Sequence, residues 1–316
     1  MSYLQKIIQS FRGRKVLVVG DVMIDQYSYG VVDRISPEAP VPIVHLVEEK
    51  FVAGGAGNVY QNLLELGAEV SLVSVSGDDI SAEKVASLFN DNRSDKKFIV
   101  RDSGRKTTVK QRLVAGGQQM LRFDSEDTHD ISQDIEAELL SILEKKIADA
   151  DVVCVSDYAK GVITKKIASR ICQLAAEKKV PVVVDTKPKH FSYFHAVSVL
   201  APNESEVLEF DKKLDVVTAA KNLAMQTTSD VLVTRGSLGM LAVSNSQVLF
   251  SIPSFANDVR DVSGAGDTVV SLLALGFAAG LSLEDAAFVA NHGAAIAVSK
   301  PQTSAVSIEE LIDVLL

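Results

Sequence analysis

The sequence predicts an α/β protein: a mostly parallel central sheet flanked by helices, with a small antiparallel β lid. Runs rich in Val and Ile recur along the chain, segments with apolar residues three and four apart alternate with them, and two intervals break the alternation. The first run, 15–19, is followed by others at 70–75, 152–156, 182–184, 197–200 and 231–234, which read as strands buried on both faces. Between them the helical pattern covers 58–66, 81–90, 131–147, 164–178 and 218–226, several of these segments opening at Ser, Thr or Asn as an N-cap does. From Gly264 to the end the pattern is helical, and Ser307-Ile308-Glu309-Glu310 has the form of a capping box. The intervals at about 26–48 and 98–124 hold short β-type runs broken by Pro37, Pro40, Pro42 and Gly116-Gly117, and these are the predicted lid. No repeat, low-complexity tract or long polar linker divides the chain, so residues 1–316 are expected to form a single domain.

Composition narrows the function classes. Charged residues are 23% and hydrophobic residues 47%, a globular balance that excludes disordered and collagen-like chains. The 32 basic and 41 acidic residues leave a net charge of −9, which opposes nucleic acid and anionic membrane surfaces, so no partner of either kind is expected. A phosphate-bearing ligand then requires a local basic patch. Cys154 and Cys172 form no CxxC pair, which argues against a disulfide framework or a common zinc site. The N-terminus lacks the features of a signal peptide, and the most apolar stretch, 269–281, is interrupted by Ser271 and Gly276 and too short for a membrane span. A cytoplasmic address is expected.

Two glycine-rich segments carry the chemistry. Ala53-Gly54-Gly55-Ala56-Gly57-Asn58 precedes a helix, where glycines allow close backbone approach to a ligand and Asn58 either caps the helix or offers its amide to a hydroxyl. A dinucleotide fingerprint fails here, because the position of its third glycine is Tyr60. Asp261-Val262-Ser263-Gly264-Ala265-Gly266-Asp267-Thr268 precedes an apolar helix, so small residues expose backbone N–H groups at a helix N-terminus and form an anion site. Asp267 is equally suited to cap that helix. The absence of any Gly-Lys dipeptide excludes a Walker P-loop.

Together the two segments resemble the two signatures of the pfkB/ribokinase family of sugar kinases. Gly54, Gly55, Ala56, Asn58, Gly67 and Gly77 match the first, with a departure at Tyr60; residues 261–267 match the second, with a departure at Leu272. Both departures fall on helix packing positions. Gly20 to Asp25, the Asn203 and Glu206 pair, and Thr234-Arg235-Gly236-Ser237-Leu238-Gly239 follow in family order. The stretches Arg34-Ile35-Ser36-Pro37-Glu38-Ala39-Pro40-Val41-Pro42, Gln118 to Asp124 and Ser156-Asp157-Tyr158-Ala159-Lys160-Gly161 are similar to the branch of the family that acts on a bacterial heptose 7-phosphate.

The resemblance implies a ribokinase-like fold and ATP-dependent phosphorylation, with Mg²⁺, of the anomeric hydroxyl of D-glycero-D-manno-heptose 7-phosphate. Its alternative is a family kinase for an unphosphorylated sugar or nucleoside. It assigns the base to Asp267 and the anion loop to Gly264, Ala265 and Gly266. Asp25, Gly55 and Asn58 match sugar-holding positions, and Lys110, Arg112, Arg122 and Lys160 are the candidate cations for the substrate phosphate, within a basic cluster that runs from Arg105 and Lys106 to Arg122. ATP is assigned to Asn203, Thr234, Gly236, Gly239 and His292. Mg²⁺ falls to Asn203 and Glu206 through water, although the pair also reads as an ordinary N-cap after Pro202. The chain's end at Leu316 suggests a kinase without a nucleotidyltransferase half, and the exposed edge of the lid suggests a homodimer.

Overall fold

The continuously apolar runs are the centre of the molecule. The computed structural model describes residues 3–89, 97–300 and 304–315; Asn90, the last residue of one predicted helix, and Leu316 lie outside them. In chain order, α1 (Tyr3–Gln9) precedes β1 (Lys15–Gly20), β2 (Val22–Ile35), β3 (Pro42–Gly55), α2 (Ala56–Glu65), β4 (Glu69–Gly77) and α3 (Ile80–Leu88). Three strands, β5 (Lys97–Asp102), β6 (Val109–Ala115) and β7 (Gln118–Ser125), lead to α4 (Gln133–Ile147), β8 (Val152–Ser156), α5 (Lys165–Lys178), β9 (Val182–Asp185) and β10 (Val199–Leu200). Next come α6 (Glu204–Phe210), α7 (Val216–Thr227), β11 (Asp230–Thr234), β12 (Met240–Ser244) and β13 (Gln247–Ile252). Helices α8 (Ala265–Ala278), α9 (Leu283–Ser299) and α10 (Ile308–Val314) close the chain.

Among the described residues the main sheet has nine strands in the order β13, β12, β11, β10, β9, β8, β1, β4, β5. From β11 to β5 every pairing is parallel, and every residue of β8 is buried. Apolar side chains on one face pack against α2, α8 and α9, and those on the other against α4, α5 and α7. The helix starts behave as their sequences require: Ser132, Thr164 and Ser282 each accept an N-cap hydrogen bond, and Ser307 with Glu310 completes a reciprocal capping box.

Both signature departures are packing solutions. Tyr60 is fully buried on α2, edge-on to Phe89 at 5.3 Å between ring centroids. Leu272 fills space left by Gly293 of α9, where an added Cβ would lie 2.1 Å from its Cδ1.

The lid differs from its prediction in three respects. Residues 98–102 belong to the main sheet, where β5 pairs in parallel with β4, because Phe98 and Val100 pack into the core beside α4. The second sheet, of order β3, β2, β6, β7, is mixed, with β2 and β6 parallel. It is also larger, since β2 and β3 run as 14-residue strands down to Gly55. The hairpin of β12 and β13 was outside the sequence reading; it turns at Asn245, whose φ of 50° is of the kind Asn tolerates in a tight turn.

Candidate active site

Gly264 to Gly266, the segment expected to form an anion loop, stand at the head of α8. Gly264 is the N-cap of α8 with φ 79°, so Ala265, Gly266 and Asp267 form the first helical turn, whose N–H groups have no acceptor inside the helix. Asp267 is 4% exposed, and its carboxylate is held from two directions. Asn58 of α2 donates its amide to Oδ2 at 2.7 Å, and the Tyr158 hydroxyl donates to Oδ1 at 2.9 Å. Asn58 therefore does not cap α2; Gly55 is the N-cap, with φ 57°, and a Cβ there would stand 2.4 Å from the Asp21 carbonyl oxygen. Burial raises Asp267 to about 6, against the Asn58 and Tyr158 hydrogen bonds, which pull it down; Asp25 adds to the rise and Lys187 opposes it.

The second sheet brings cations toward this carboxylate. Parallel register sets Asp25 opposite Lys110 and Tyr27 opposite Arg112 on neighbouring strands, so the four side chains share one face. Arg112 Nη1 donates to Asp25 Oδ1 in a pair whose side chains are 15% and 10% exposed, and the guanidinium lies over the Tyr27 ring. The Tyr27 hydroxyl is buried with no hydrogen-bond partner among the described residues. Lys110 lies 5.1 Å from the Tyr158 ring centroid, and burial lowers its pKa. Lys160 pairs with Glu126 at 2.6 Å. Arg122 stands opposite Arg112 but is half-exposed and paired with Asp124 at 3.0 Å. Arg105, part of the same basic cluster in the sequence, is turned inward: its guanidinium donates to the carbonyls of Lys160 and His129 at 2.8 and 2.7 Å, which makes it a brace rather than a solvated or ligand-facing charge. Lys106 is exposed.

On the other side of Asp267 the cavity divides in two. A volume of about 450 Å³ is lined by Thr234, Gly236 and Gly239 together with Ala265, Gly266 and Asn291. It adjoins a smaller space of about 130 Å³ lined by Tyr158, Asp185, Lys187, Asn203 and Glu206, the two sharing Thr234, Gly266 and Val269. Asn203 is the N-cap of α6 and makes a full capping box with Glu206, which also accepts from Lys187 Nζ at 2.6 Å. Of the two readings of that pair, the N-cap is the one the hydrogen bonds display. Burial raises Asp185 to about 8, despite Lys187. The donors are hard oxygens facing a space that admits water, which fits a hydrated divalent cation. Among the described residues no group of three or more His, Cys, Asp or Glu is arranged to ligate a metal directly.

His292 is not brought to this cavity. Its Nδ1 meets the Phe288 carbonyl at 3.0 Å, and its ring packs against Phe255 and Phe288. The cavity-lining residue is its neighbour Asn291, whose amide donates to the Pro253 carbonyl. Tyr158, Asp185 and Asn291 carry no local signal that marks them as site residues, and Lys187, whose sequence context fits a surface charge as well as a site, lines the smaller space and donates to Glu206. Tyr158 lay inside the quoted stretch 156–161, but only its fold contact with Asp267 marks it out.

An acidic residue at a helix N-terminus, with cations on one side and a large cleft on the other, is an arrangement suited to group transfer. The pfkB family carbohydrate kinase model matches residues 14–311, and the chain belongs to that family. More particularly, it is 39% identical over 318 residues to the bifunctional protein HldE of Paramagnetospirillum magneticum, covering 99% of this chain and 65% of that protein. HldE of Caulobacter vibrioides is 39% identical over 315 residues, with 98% and 65% covered. The chain thus spans just under two-thirds of the length of these relatives. Its fold is similar to phosphofructokinase-2 from Escherichia coli in complex with potassium, with a TM-score of 0.79 at 18% identity, covering 95% of this chain and 97% of that one. Arabidopsis thaliana ribokinase complexed with ribose and ATP gives a TM-score of 0.73 at 18% identity, covering 96% and 99%.

Proposed function

We propose that the protein transfers the γ-phosphoryl group of ATP to the anomeric hydroxyl of D-glycero-D-manno-heptose 7-phosphate, giving the 1,7-bisphosphate. The observation that carries this reading is the cationic face of the second sheet, with the largely buried Arg112 at its centre: a chain of net charge −9 places a desolvated guanidinium on the sheet that faces the base. The similarity to HldE proteins and the stretches 34–42, 118–124 and 156–161 support the heptose. On this reading Asp267 takes the proton from the anomeric hydroxyl, and the N–H groups at Gly264 to Gly266 receive the charge of the transferred group. Asp25, Gly55 and Asn58 hold sugar hydroxyls, Lys110, Arg112 and Lys160 face the substrate phosphate while Arg122, half-exposed and paired with Asp124, stays at the strand edge, and Thr234, Gly236, Gly239 and Asn203 border the nucleotide. Mg²⁺, held through water by Asn203 and Glu206 with Asp185 beside them, would neutralise the nucleotide phosphates.

ADP release should require the heptose 7-phosphate, ATP and Mg²⁺ together and exceed release with ribose or fructose by well over tenfold. Equal turnover with the unphosphorylated sugars would overturn the assignment.

We read residues 1–316 as one kinase body with the second sheet as its lid, acting in the cytoplasm, in keeping with the free Cys154 and Cys172. Among the described residues no helix is long and apolar enough to cross a membrane. The lid also supports a homodimer: Val31, Ile35, Leu46, Val47, Leu121 and Phe123 on its strands are all about half exposed or more. Light scattering should give twice the chain mass, and Leu121→Asp with Phe123→Asp should return it to the monomer value; a monomeric mass for the unaltered protein would contradict the dimer.

A further inference from the structure

Tyr158 sits at a junction that the proposed chemistry leaves unassigned. Its hydroxyl reaches Asp267 Oδ1 at 2.9 Å, while its ring centroid lies 5.1 Å from Lys110 Nζ on the lid and 5.0 Å from Lys187 Nζ in the smaller cavity. One residue therefore touches the carboxylate, a cation on the acceptor side and a cation on the nucleotide side.

The loop that carries it is held with unusual rigour. Asp21, 1% exposed, accepts the backbone N–H groups of Tyr158, Lys160 and Val162 at 2.8, 3.1 and 3.1 Å. Asp157, also 1% exposed, accepts the Ala159 N–H at 2.8 Å and is itself held by Thr186 and by His190 at 2.7 Å. Two adjacent buried carboxylates oppose folding unless hydrogen bonds compensate them, and burial together with Asp157 raises Asp21 to about 6. Here the compensating donors include four backbone N–H groups of one short loop. The arrangement fixes the position of the Tyr158 side chain at some cost in stability, as sites that require exact placement do.

We infer that Tyr158 is a positioning residue for phosphoryl transfer, orienting the Asp267 carboxylate through its hydroxyl and aligning the acceptor-side and nucleotide-side cations across its ring. The inference rests on the reading of Asp267 as the base. With Asn58 on Oδ2 and Tyr158 on Oδ1, the carboxylate cannot rotate, and each oxygen keeps a lone pair for the incoming hydroxyl. Besides these two donors, Asp267 faces Asp25 from β2, Asp185 from β9, Lys187 just beyond β9 and Cys154 from β8. Burial pushes the Tyr158 phenol well above its usual range, so it remains a donor throughout the working pH.

Asp267 titrates at about 6, so the rate should fall as pH drops through that value. A hydrogen bond to the ionised form lowers the pKa, so Tyr158→Phe should move the acid limb of kcat/KM upward by about one pH unit. At pH 8 kcat should fall by roughly tenfold while KM for the sugar phosphate changes by less than about twofold, a split that lost packing would not produce. In the opposite direction, 3-fluorotyrosine at 158 makes the phenol a stronger donor and should move the limb downward; this variant decides the question if Tyr158→Phe fails to fold. An acid limb that stays in place, or a loss that appears only in KM, overturns the inference. The companion Asp267→Asn separates the two ideas: retained activity there removes the base reading, whereas an inactive Asn variant beside an unmoved limb removes Tyr158 alone.

Discussion

Asp267→Asn is expected to lower kcat/KM by about 1000-fold, equivalent to roughly 4 kcal/mol of transition-state stabilisation, with the fold intact. The amide keeps the shape of the side chain and can still meet Asn58 and Tyr158, since the phenol hydroxyl is able to rotate and accept, but it cannot take a proton from the sugar. Stability should respond with a definite sign. Burial raises Asp267 to about 6, so the folded state binds its proton more tightly than the unfolded chain does. The associated stability is present at low pH and is lost as pH rises from the ordinary carboxylate range through about 6. The Asn variant escapes that loss, so its thermal midpoint relative to the native protein should be higher at pH 8 than at pH 4.5. Steady-state kinetics and melting curves at the two pH values check both parts. Retained turnover would remove the base reading, and a midpoint difference independent of pH would remove the raised pKa.

Arg112→Ala carries the second large effect. The guanidinium and Asp25 are a desolvated pair, and removing one partner leaves the other charge buried, which costs about 3–5 kcal/mol. If Arg112 also faces the substrate phosphate, KM for the sugar phosphate should rise by about 100-fold, and Arg112→Lys should recover only part of it, because an ammonium cannot reproduce a planar fork. Arg122→Ala is the control. Its pair with Asp124 is half-exposed, and such pairs contribute at most about 1 kcal/mol, so both its stability loss and its KM change should be small. Denaturant titration and substrate kinetics on the three variants test the ranking. Equal KM effects at 112 and 122 would return the phosphate to the strand edge.

Much of the frame was legible from the chain. The Val-rich runs at 152–156 and 182–184 became β8 and β9 almost without change, because strands buried on both faces leave a local, continuous signal. The capping sequences at Ser132, Thr164 and Ser307 likewise act within one helical turn. Residues 98–102 join the main sheet and not the lid for the opposite reason. Whether such a segment extends the main sheet or the lid depends on which distant strand it pairs with, and β4 offered Phe98 and Val100 a core to enter. The basic residues were similarly ambiguous, since their spacing says nothing of direction: Arg105 turned inward as a brace, Arg112 joined Asp25, and Arg122 stayed at the surface.

Residues adjacent in the chain sufficed for the α/β class, the glycine loop ahead of α8, the family resemblance and the candidate base. How that base is held depends on contacts that folding makes between distant residues. Asn58 lies 209 positions from Asp267 and Tyr158 lies 109, so neither hydrogen bond leaves a trace in local spacing. The same is true of the raised pKa of Asp267, because desolvation is a property of everything packed around a group and not of its neighbours along the chain.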